Sequence, residues 1–465
     1  MTLITSISGI RGTTGGKQGQ GLTPLDIVKF TTAYAKWCTE QHQKQNCTII
    51  IGRDARISGA MVEGLVINTL VAMGIQVVNL GLSTTPTVEM AVILEKANGG
   101  IILTASHNPK EWNALKLLNH KGEFISAQDG EKILQYARQD DVVFVDIDHI
   151  GKITHIPDYI QKHIQTILAL PLVQKERIAE QNLTIVVDAV NSSGGIAVPQ
   201  LLKALGVQNI IELNCEPNGH FAHNPEPLPE HLTEISEAVK LHKADLGIVV
   251  DPDVDRLALI CEDGTMFGEE YTLVAIADYI LTHKKGNTVS NLSSTRALRD
   301  ITVQKGGQYT AAAVGEVNVV QEMKNTHAVI GGEGNGGIIY PDLHYGRDAL
   351  VGVALFLSYV AEKKQRLSEI KMQFPQYYMH KGKINLSADI NLDAILSYLQ
   401  KTYSHAQINT IDGIKIDFLE SWVHLRKSNT EPIMRIYTEA KTPEQAQQLA
   451  QEIMTHIQEV QSQKG

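Results

Sequence analysis

A hydroxyl and a triplet of carboxylates, each at the end of an apolar run, are the residues of this sequence best suited to chemistry. The apolar stretch 100–103 leads into Thr104-Ala105-Ser106-His107-Asn108-Pro109. Small and polar residues and a proline stop a buried strand there and leave Ser106 at its mouth. A second apolar run, Leu246–Val250, ends in Asp251-Pro252-Asp253-Val254-Asp255-Arg256. Alternating carboxylates converge if the loop curls, and three of them after a buried strand are costly without a cation. An all-oxygen set suits a hard divalent ion such as Mg2+, with positions left for water or a phosphate oxygen. A serine nucleophile needs a base and a positive neighbour, and His107, Lys110 and Lys116 follow it closely. A poised serine and a metal loop in one chain are equipment for phosphoryl transfer. Each has a plainer reading: Ser106 as a strand-end residue before an Asn-Pro turn, the aspartates as a solvated turn with Arg256 as internal counter-ion.

Further segments carry ligand-type residues. Arg426-Lys427-Ser428-Asn429-Thr430 joins a guanidinium, an ammonium, two hydroxyls and an amide. These are the donors that clasp a phosphate dianion; the alternative is a polar hairpin. Segment 331–337 has five glycines around Glu333 and Asn335. Glycine lets backbone approach a ligand closely, and no Gly-Lys-Ser/Thr follows, so this is not a Walker loop. Glu333 and Asn335 could bind adjacent sugar hydroxyls. Ser8-Gly9-Ile10-Arg11-Gly12-Thr13 reads as a small-residue loop around one arginine, or as a frayed terminus. Arg53-Asp54-Ala55-Arg56 reads as structural, its charges anchoring the start of a helix.

The elements that must position these loops come in three echoes. Strands are expected at 48–51, 75–80 and 100–103, then at 183–187, 209–213 and 246–250, then at 288–292, 309–313 and 328–330, alternating with helices. That pattern is mostly parallel α/β. The last strand of each set runs into a chemically equipped loop. Ligands collect at the carboxyl ends of such strands, so the three loops are expected to face one cleft. The end of the chain differs: strands at 383–386, 413–418, 422–425 and 433–437, with helices at 392–401 and 443–457, read as a small antiparallel α+β domain. The length of 465 residues fits three or four domains. Boundaries are expected at 1–155, 156–262, 263–370 and 371–465.

Bulk properties narrow the partners. A formal charge of −10 argues against general nucleic-acid or anionic-membrane binding, while a small anionic substrate remains compatible with local Arg and Lys. The four cysteines, Cys38, Cys47, Cys215 and Cys261, form no C-x-x-C pair and read as reduced thiols of a cytoplasmic protein. The N-terminal residues lack a signal-peptide pattern, and no apolar run approaches the ~18 residues of a membrane span.

Four motifs in this order, TASHNP, DPDVDR, GGEGNGG and RKSNTEP, resemble those of the α-D-phosphohexomutase superfamily along essentially the whole chain. The resemblance implies a heart-shaped enzyme of four domains, three similar mixed α/β domains followed by a C-terminal α+β phosphate-binding lid. It implies a phosphoserine at Ser106, with Ser106, Asp251, Asp253 and Asp255 around one Mg2+. It places Glu333 and Asn335 on the sugar. Arg426, Ser428, Asn429 and Thr430 would hold the non-reacting phosphate. Arg11 and Lys116 would lie near the reacting one, Lys116 as a proton-transfer residue; His107 is a further catalytic candidate and Arg256 a substrate-binding one. Hexose 1,6-bisphosphate would serve as activator, and the enzyme would be a monomer or homodimer. Two departures stand out. Many members carry a histidine where this chain has Gly337, and many read Asp-Gly-Asp-Gly-Asp-Arg where this chain has Pro252 and Val254. The aspartate spacing survives; His344 is a candidate stand-in for the histidine. Glucosamine phosphate is the expected substrate, with mannose or glucose phosphate as the alternative. The rivals are a catalytically silent sugar-phosphate-binding protein, which would not need to keep Ser106 and all three aspartates, and a metal-dependent phosphatase, which would release phosphate.

Overall fold

The apolar runs form strands that carry the expected loops at their ends, and strands of reversed direction extend the sheets beside them. The computed structural model describes residues 2–6, 9–42, 47–139, 141–385, 392–427 and 433–462. Its chain divides into two compact units, Met1–Ile280 with Asn335–Lys371, and Leu281–Gly334 with Met372–Gly465.

In the first unit a seven-stranded sheet runs in the order Ile4–Ser6, Gly9–Thr13, Trp112–Leu118, Gly99–Leu103, Thr48–Arg53, Gln76–Leu82, Ile153–His155. Thr48–Arg53 pairs in parallel with both Gln76–Leu82 and Gly99–Leu103. Gly99–Leu103 is wholly buried, as its unbroken apolar sequence requires. Its other neighbour, Trp112–Leu118, is antiparallel and sets Lys116 opposite Ile102. Gly9–Thr13 pairs antiparallel in turn, with Arg11 opposite Ala114. The segment around Arg11 is therefore a paired strand, not a frayed end; Ser8 lies outside the described residues. Gly9 permits the pairing: at φ +115 its added Cβ would sit 2.3 Å from the Leu115 carbonyl oxygen.

The second sheet of this unit runs Leu257–Cys261, Leu246–Val250, Thr184–Asp188, Asn209–Leu213. Leu246–Val250 is parallel to Thr184–Asp188 and antiparallel to Leu257–Cys261, so the aspartate loop is the turn of a buried hairpin. Helix Ala349–Lys363 belongs to the same unit. It is apolar on nearly all sides and buried accordingly, against helices Tyr159–Leu168, Lys175–Glu180 and Gly194–Ala204. Asp348 caps it, accepting from the N–H groups of Leu350 at 2.8 Å and Val351 at 3.2 Å.

In the second unit Asn287–Asn291 lies parallel to Tyr309–Ala312 and Ala328–Glu333. The last of these is longer than expected: Gly331, Gly332 and Glu333 are strand, not loop. Gly331 must lack a side chain, because a Cβ would meet Met323 sulfur at 2.5 Å and the Val289 carbonyl oxygen at 2.8 Å. An antiparallel sheet follows in the order Tyr378–Asn385, Ile433–Ala440, Trp422–Lys427, Ile414–Asp417, Gln407–Asn409, with helices Leu392–Thr402 and Pro443–Ser462. Mixed α/β layers and a C-terminal α+β domain are thus the fold class. Among the described residues no helix is long and apolar enough to cross a membrane, and Cys38, Cys47, Cys215 and Cys261 are free thiols.

Candidate active site

The serine loop and the aspartate loop meet in the first unit. Ser106 donates its hydroxyl to Asp251 Oδ2 at 2.8 Å, and its Oγ lies 3.4 Å from His107 Nδ1. Ser106 has φ +50, in the left-handed region that serine rarely occupies. The loop is held there by a buried arginine. Arg56 donates to the carbonyls of Pro109 at 2.7 Å, Trp112 at 3.0 Å, Asn108 at 2.7 Å and Ser106 itself. Its Nε pairs with Asp54 Oδ2 at 3.0 Å. Asp54 in turn accepts from the Thr104 hydroxyl at 2.6 Å. The segment 53–56 therefore does more than start a helix: it builds the serine turn.

Asp251, Asp253 and Asp255 are buried, and one oxygen of each lies within 4.8 Å of the others. Asp253 Oδ2 accepts from Lys116 Nζ at 2.6 Å and Thr85 Oγ1 at 2.5 Å. Asp255 Oδ2 accepts from Arg347 at 2.6 Å, with Lys116 Nζ at 3.5 Å. Asp251 Oδ1 receives the N–H groups of Asp255 and Arg256, each at 3.2 Å. Asp253 Oδ1 and Asp255 Oδ1 are sealed from water without a hydrogen-bond partner. Buried carboxylate oxygens without donors are what a hard cation satisfies, so the site fits a divalent ion such as Mg2+.

The electrostatics separate the roles. Burial, then Asp253 and Asp255, push Asp251 well above the usual carboxylate pKa. Burial acts the same way on Asp253, but Lys116 outweighs it and holds that carboxyl low. Burial pulls Lys116 down, and Asp253 with Asp255 more than reverses this, leaving a charged ammonium. Burial, then Arg256, lowers His107 well below the ordinary imidazole value, so it is neutral at pH 7. Burial and Arg256 also lower Arg11, which feels Asp253 and Arg347. Arg11, Arg256, Arg347 and Lys116 thus form a cationic rim around the aspartates and Ser106. Arg256 also reaches Glu226, at 3.5 Å.

The structure distributes the remaining expected residues. Asn335 belongs to the first unit and its Oδ1 accepts from the Gly337 N–H at 3.3 Å. Glu333 belongs to the second, where its Oε1 accepts from Asn291 at 2.8 Å and the Gly315 N–H at 3.1 Å. Arg426 ends the strand Trp422–Lys427 of the second unit; Ser428, Asn429 and Thr430 lie outside the described residues. His344 does not serve as the stand-in histidine: it is 4% exposed and its ring faces Glu89 and Asp348. Gly337 has a different complement. A Cβ there would meet Arg347 Cδ at 2.4 Å, so the glycine makes room for the side chain that reaches Asp255. Arg347 was the residue that motif spacing missed, although a lone arginine before a helix-capping aspartate was visible in the sequence.

Four family models match in succession. They are the Phosphoglucomutase/phosphomannomutase alpha/beta/alpha domains I, II and III over residues 3–143, 158–264 and 268–378, and the C-terminal domain over 382–456. The phosphoglucomutase/phosphomannomutase of Thermococcus kodakarensis is 32% identical over 93% of this chain and 94% of its own. A protein of Methanopyrus kandleri named "Probable phosphoglucosamine mutase" is 30% identical over 96% of each. A crystal structure of a phosphoglucomutase/phosphomannomutase family protein from Burkholderia thailandensis superposes with a TM-score of 0.85 at 24% identity, covering 98% of this chain and 97% of that one. With its serine and aspartate loops joined as described, the chain belongs to the α-D-phosphohexomutase superfamily and is a phosphohexomutase.

Proposed function

We propose that this phosphohexomutase converts glucosamine 6-phosphate to glucosamine 1-phosphate through a phosphoserine at Ser106 and a 1,6-bisphosphate intermediate. The observation that carries the reading is the 2.8 Å contact between Ser106 Oγ and a buried three-aspartate cluster with four cations around it. The phosphoryl group leaves Ser106 Oγ as a free sugar hydroxyl bonds to phosphorus; the other phosphate later returns to the serine. His107, neutral and 3.4 Å from Ser106 Oγ, is placed to take the proton of the attacking hydroxyl, the sugar's in the first transfer and that of Ser106 in the return. Lys116, held charged by two aspartates, supplies a proton and positive charge to the oxygen that leaves. Arg11, Arg256 and Arg347 neutralise the reacting phosphate. Asp251, Asp253 and Asp255, with the phosphorylated Ser106, would hold one Mg2+, which when bound withdraws charge from the transferring group. Glu333 and Asn335 are assigned to the sugar, and Arg426, Ser428, Asn429 and Thr430 to the phosphate that does not react. The domains are assigned as 1–155, 156–262, 263–370 and 371–465. The activator is a hexose 1,6-bisphosphate, and the enzyme acts in the cytoplasm as monomer or homodimer.

Intact mass spectrometry before and after incubation with glucose 1,6-bisphosphate tests the covalent step. One added phosphoryl group, mapped to Ser106 and absent from Ser106→Ala, is the expected result; mutase turnover by Ser106→Ala overturns it. The hexose is tested by kcat/KM for the three 6-phosphates at saturating activator. A ~10-fold preference for mannose or glucose phosphate, about 1.4 kcal/mol in transition-state binding, moves the assignment to phosphomannomutase/phosphoglucomutase. Net phosphate release in place of isomerisation indicates the phosphatase.

A further inference from the structure

Behind the aspartate loop lies a second group of ligand-type side chains that the mutase chemistry does not use. His163 on helix Tyr159–Leu168, His344 on the turn before helix Ala349–Lys363, and Asp348 at that helix's N-cap bring ligand atoms within 4.8 Å of one another. Asp348 Oδ2 lies 3.1 Å from His163 Nε2 and 3.3 Å from His344 Nε2. Ligands 2.0–2.1 Å from a tetrahedral ion stand about 3.3–3.4 Å apart, and these two separations are close to that spacing. The rings are nearly perpendicular, with centroids 6.2 Å apart.

Hydrogen bonding alone accounts poorly for this geometry. His163 Nε2 is sealed from solvent and, although 3.1 Å from Asp348, is not aligned to donate to it. Its Nδ1 is 3.0 Å from Thr87 Oγ1. His344 presents both ring nitrogens to carboxylates, Nε2 to Asp348 and Nδ1 to Glu89 Oε2 at 3.4 Å. A neutral imidazole has one N–H, so one of its lone pairs would face an anion in a dry interior. Asp348 is fully buried and faces both imidazoles. Gly346 holds the arrangement open: a Cβ there would lie 2.0 Å from Glu89 Oε2.

We propose that His163 Nε2, His344 Nε2 and Asp348 Oδ2 bind a transition-metal dication of the Zn2+ class, with Thr87 and Glu89 orienting the two imidazoles from behind. Two imidazoles and one carboxylate select a borderline ion such as Zn2+ or Co2+ over Mg2+, which separates this site from the all-oxygen aspartates. Outer partners that fix a ligating ring are the usual support of such centres. Three protein ligands leave a fourth position for water. A 530 Å3 pocket bounded by Lys96, His120, Pro341 and Tyr345 is lined in part by His344. The ion would brace the backing of the active site. Arg347 and Ala349, on either side of Asp348, contact Asp255 and the Val254 carbonyl. Thr85, on the helix of Glu89, bonds Asp253.

The test uses the full-length protein, stripped with chelator, given Zn2+ or Co2+ and desalted. Elemental analysis is expected to find about one Zn2+ per chain retained in wild type and in Asp253→Asn, and none in His163→Gln or His344→Gln. Co2+ should give the intense visible absorption of a low-coordinate, nitrogen-ligated ion in the same two proteins only. Zinc K-edge absorption of the wild type needs no variant and should read two imidazoles. Wild type that retains neither ion, an all-oxygen shell, or retention unchanged in the histidine variants overturns the proposal. Failure of the phosphoserine test leaves these readouts unaffected.

Discussion

Replacing Arg56 with lysine should cripple catalysis without touching the reacting groups. Arg56 is 1% exposed, and its nitrogens serve Asp54 and four carbonyls of the segment that presents Ser106. A lysine ammonium keeps the charge but has three donors, so at least two of these five acceptors lose their partner. Charge-assisted hydrogen bonds contribute about 1.5–3 kcal/mol each, and partial re-satisfaction leaves a destabilisation of about 3 kcal/mol. The left-handed Ser106, itself strained by ~1–3 kcal/mol, relaxes once its carbonyl is released. A shift of Oγ by ~1 Å lowers kcat about 100-fold, or about 2.7 kcal/mol. Steady-state mutase assays at saturating activator read the rate, and thermal unfolding reads the stability. Arg138→Lys is the control: that guanidinium lies 3.5 Å from Glu131 on an exposed helix face and should change either quantity little. A kcat for Arg56→Lys within about twofold of wild type would refute the argument that the guanidinium fork builds the serine turn.

Other perturbations follow from the same geometry. Asp253→Asn removes the charge that holds Lys116 and one sealed oxygen of the metal loop, so the Mg2+ concentration for half activity should rise ~10-fold or more; full activity in excess chelator refutes this. Val254 is buried at φ +63, so Val254→Gly loses about 2 kcal/mol of burial but relieves ~1–2 kcal/mol of backbone strain, whereas Val254→Ala loses packing and keeps strain; denaturant unfolding should rank alanine below glycine. Lys415 is buried with its pKa lowered to about 8, chiefly by burial, so the unfolded chain binds the extra proton between pH 8 and 10.5 and this group adds stability as pH rises through that window. Lys415→Met should flatten the rise, worth up to about 3 kcal/mol less the lost bond to the Leu292 carbonyl, and a wild-type-minus-variant stability difference that is constant from pH 7 to 10.5 rules it out.

What the sequence made legible follows from what it encodes locally. Continuous apolar runs such as Leu246–Val250 announce buried parallel strands, and the residues that interrupt them announce loops, so Ser106 and the aspartates could be named in advance. Strands Gly9–Thr13, Trp112–Leu118 and Leu257–Cys261 were not named; the last two pair antiparallel with strands of the parallel core, and Gly9–Thr13 pairs antiparallel with Trp112–Leu118. Their neighbours are set by pairing across the sheet, which no single segment specifies, and Gly9 looks like loop until its partner strand is known. The same limit hid Arg56 and Arg347. Each is far in sequence from the loop it supports, and each acts through a gap left by a small residue or through bare backbone carbonyls.

The departures at Gly337 and Val254 show how such distant support works. Glycine at 337 reads alone as a missing contact, yet it vacates the volume through which Arg347 reaches Asp255. Valine at 254 reads alone as a harmless replacement for glycine, yet it forces a β-branched residue into left-handed backbone. That conformation persists because the loop is fixed from several sides. The Val254 N–H bonds the Asp251 carbonyl at 3.1 Å, and its own carbonyl accepts from Ala349 at 3.1 Å. The neighbouring Pro252 carbonyl is held by the hydroxyls of Ser192 at 2.7 Å and Ser193 at 2.9 Å. Ala349 follows Arg347 by two residues at the start of one buried helix, so a single element both neutralises the third aspartate and clamps the strained turn. The aspartate spacing is thus conserved in effect by residues about ninety positions away, and a substitution that loosens the start of that helix should disturb metal affinity before it disturbs the fold.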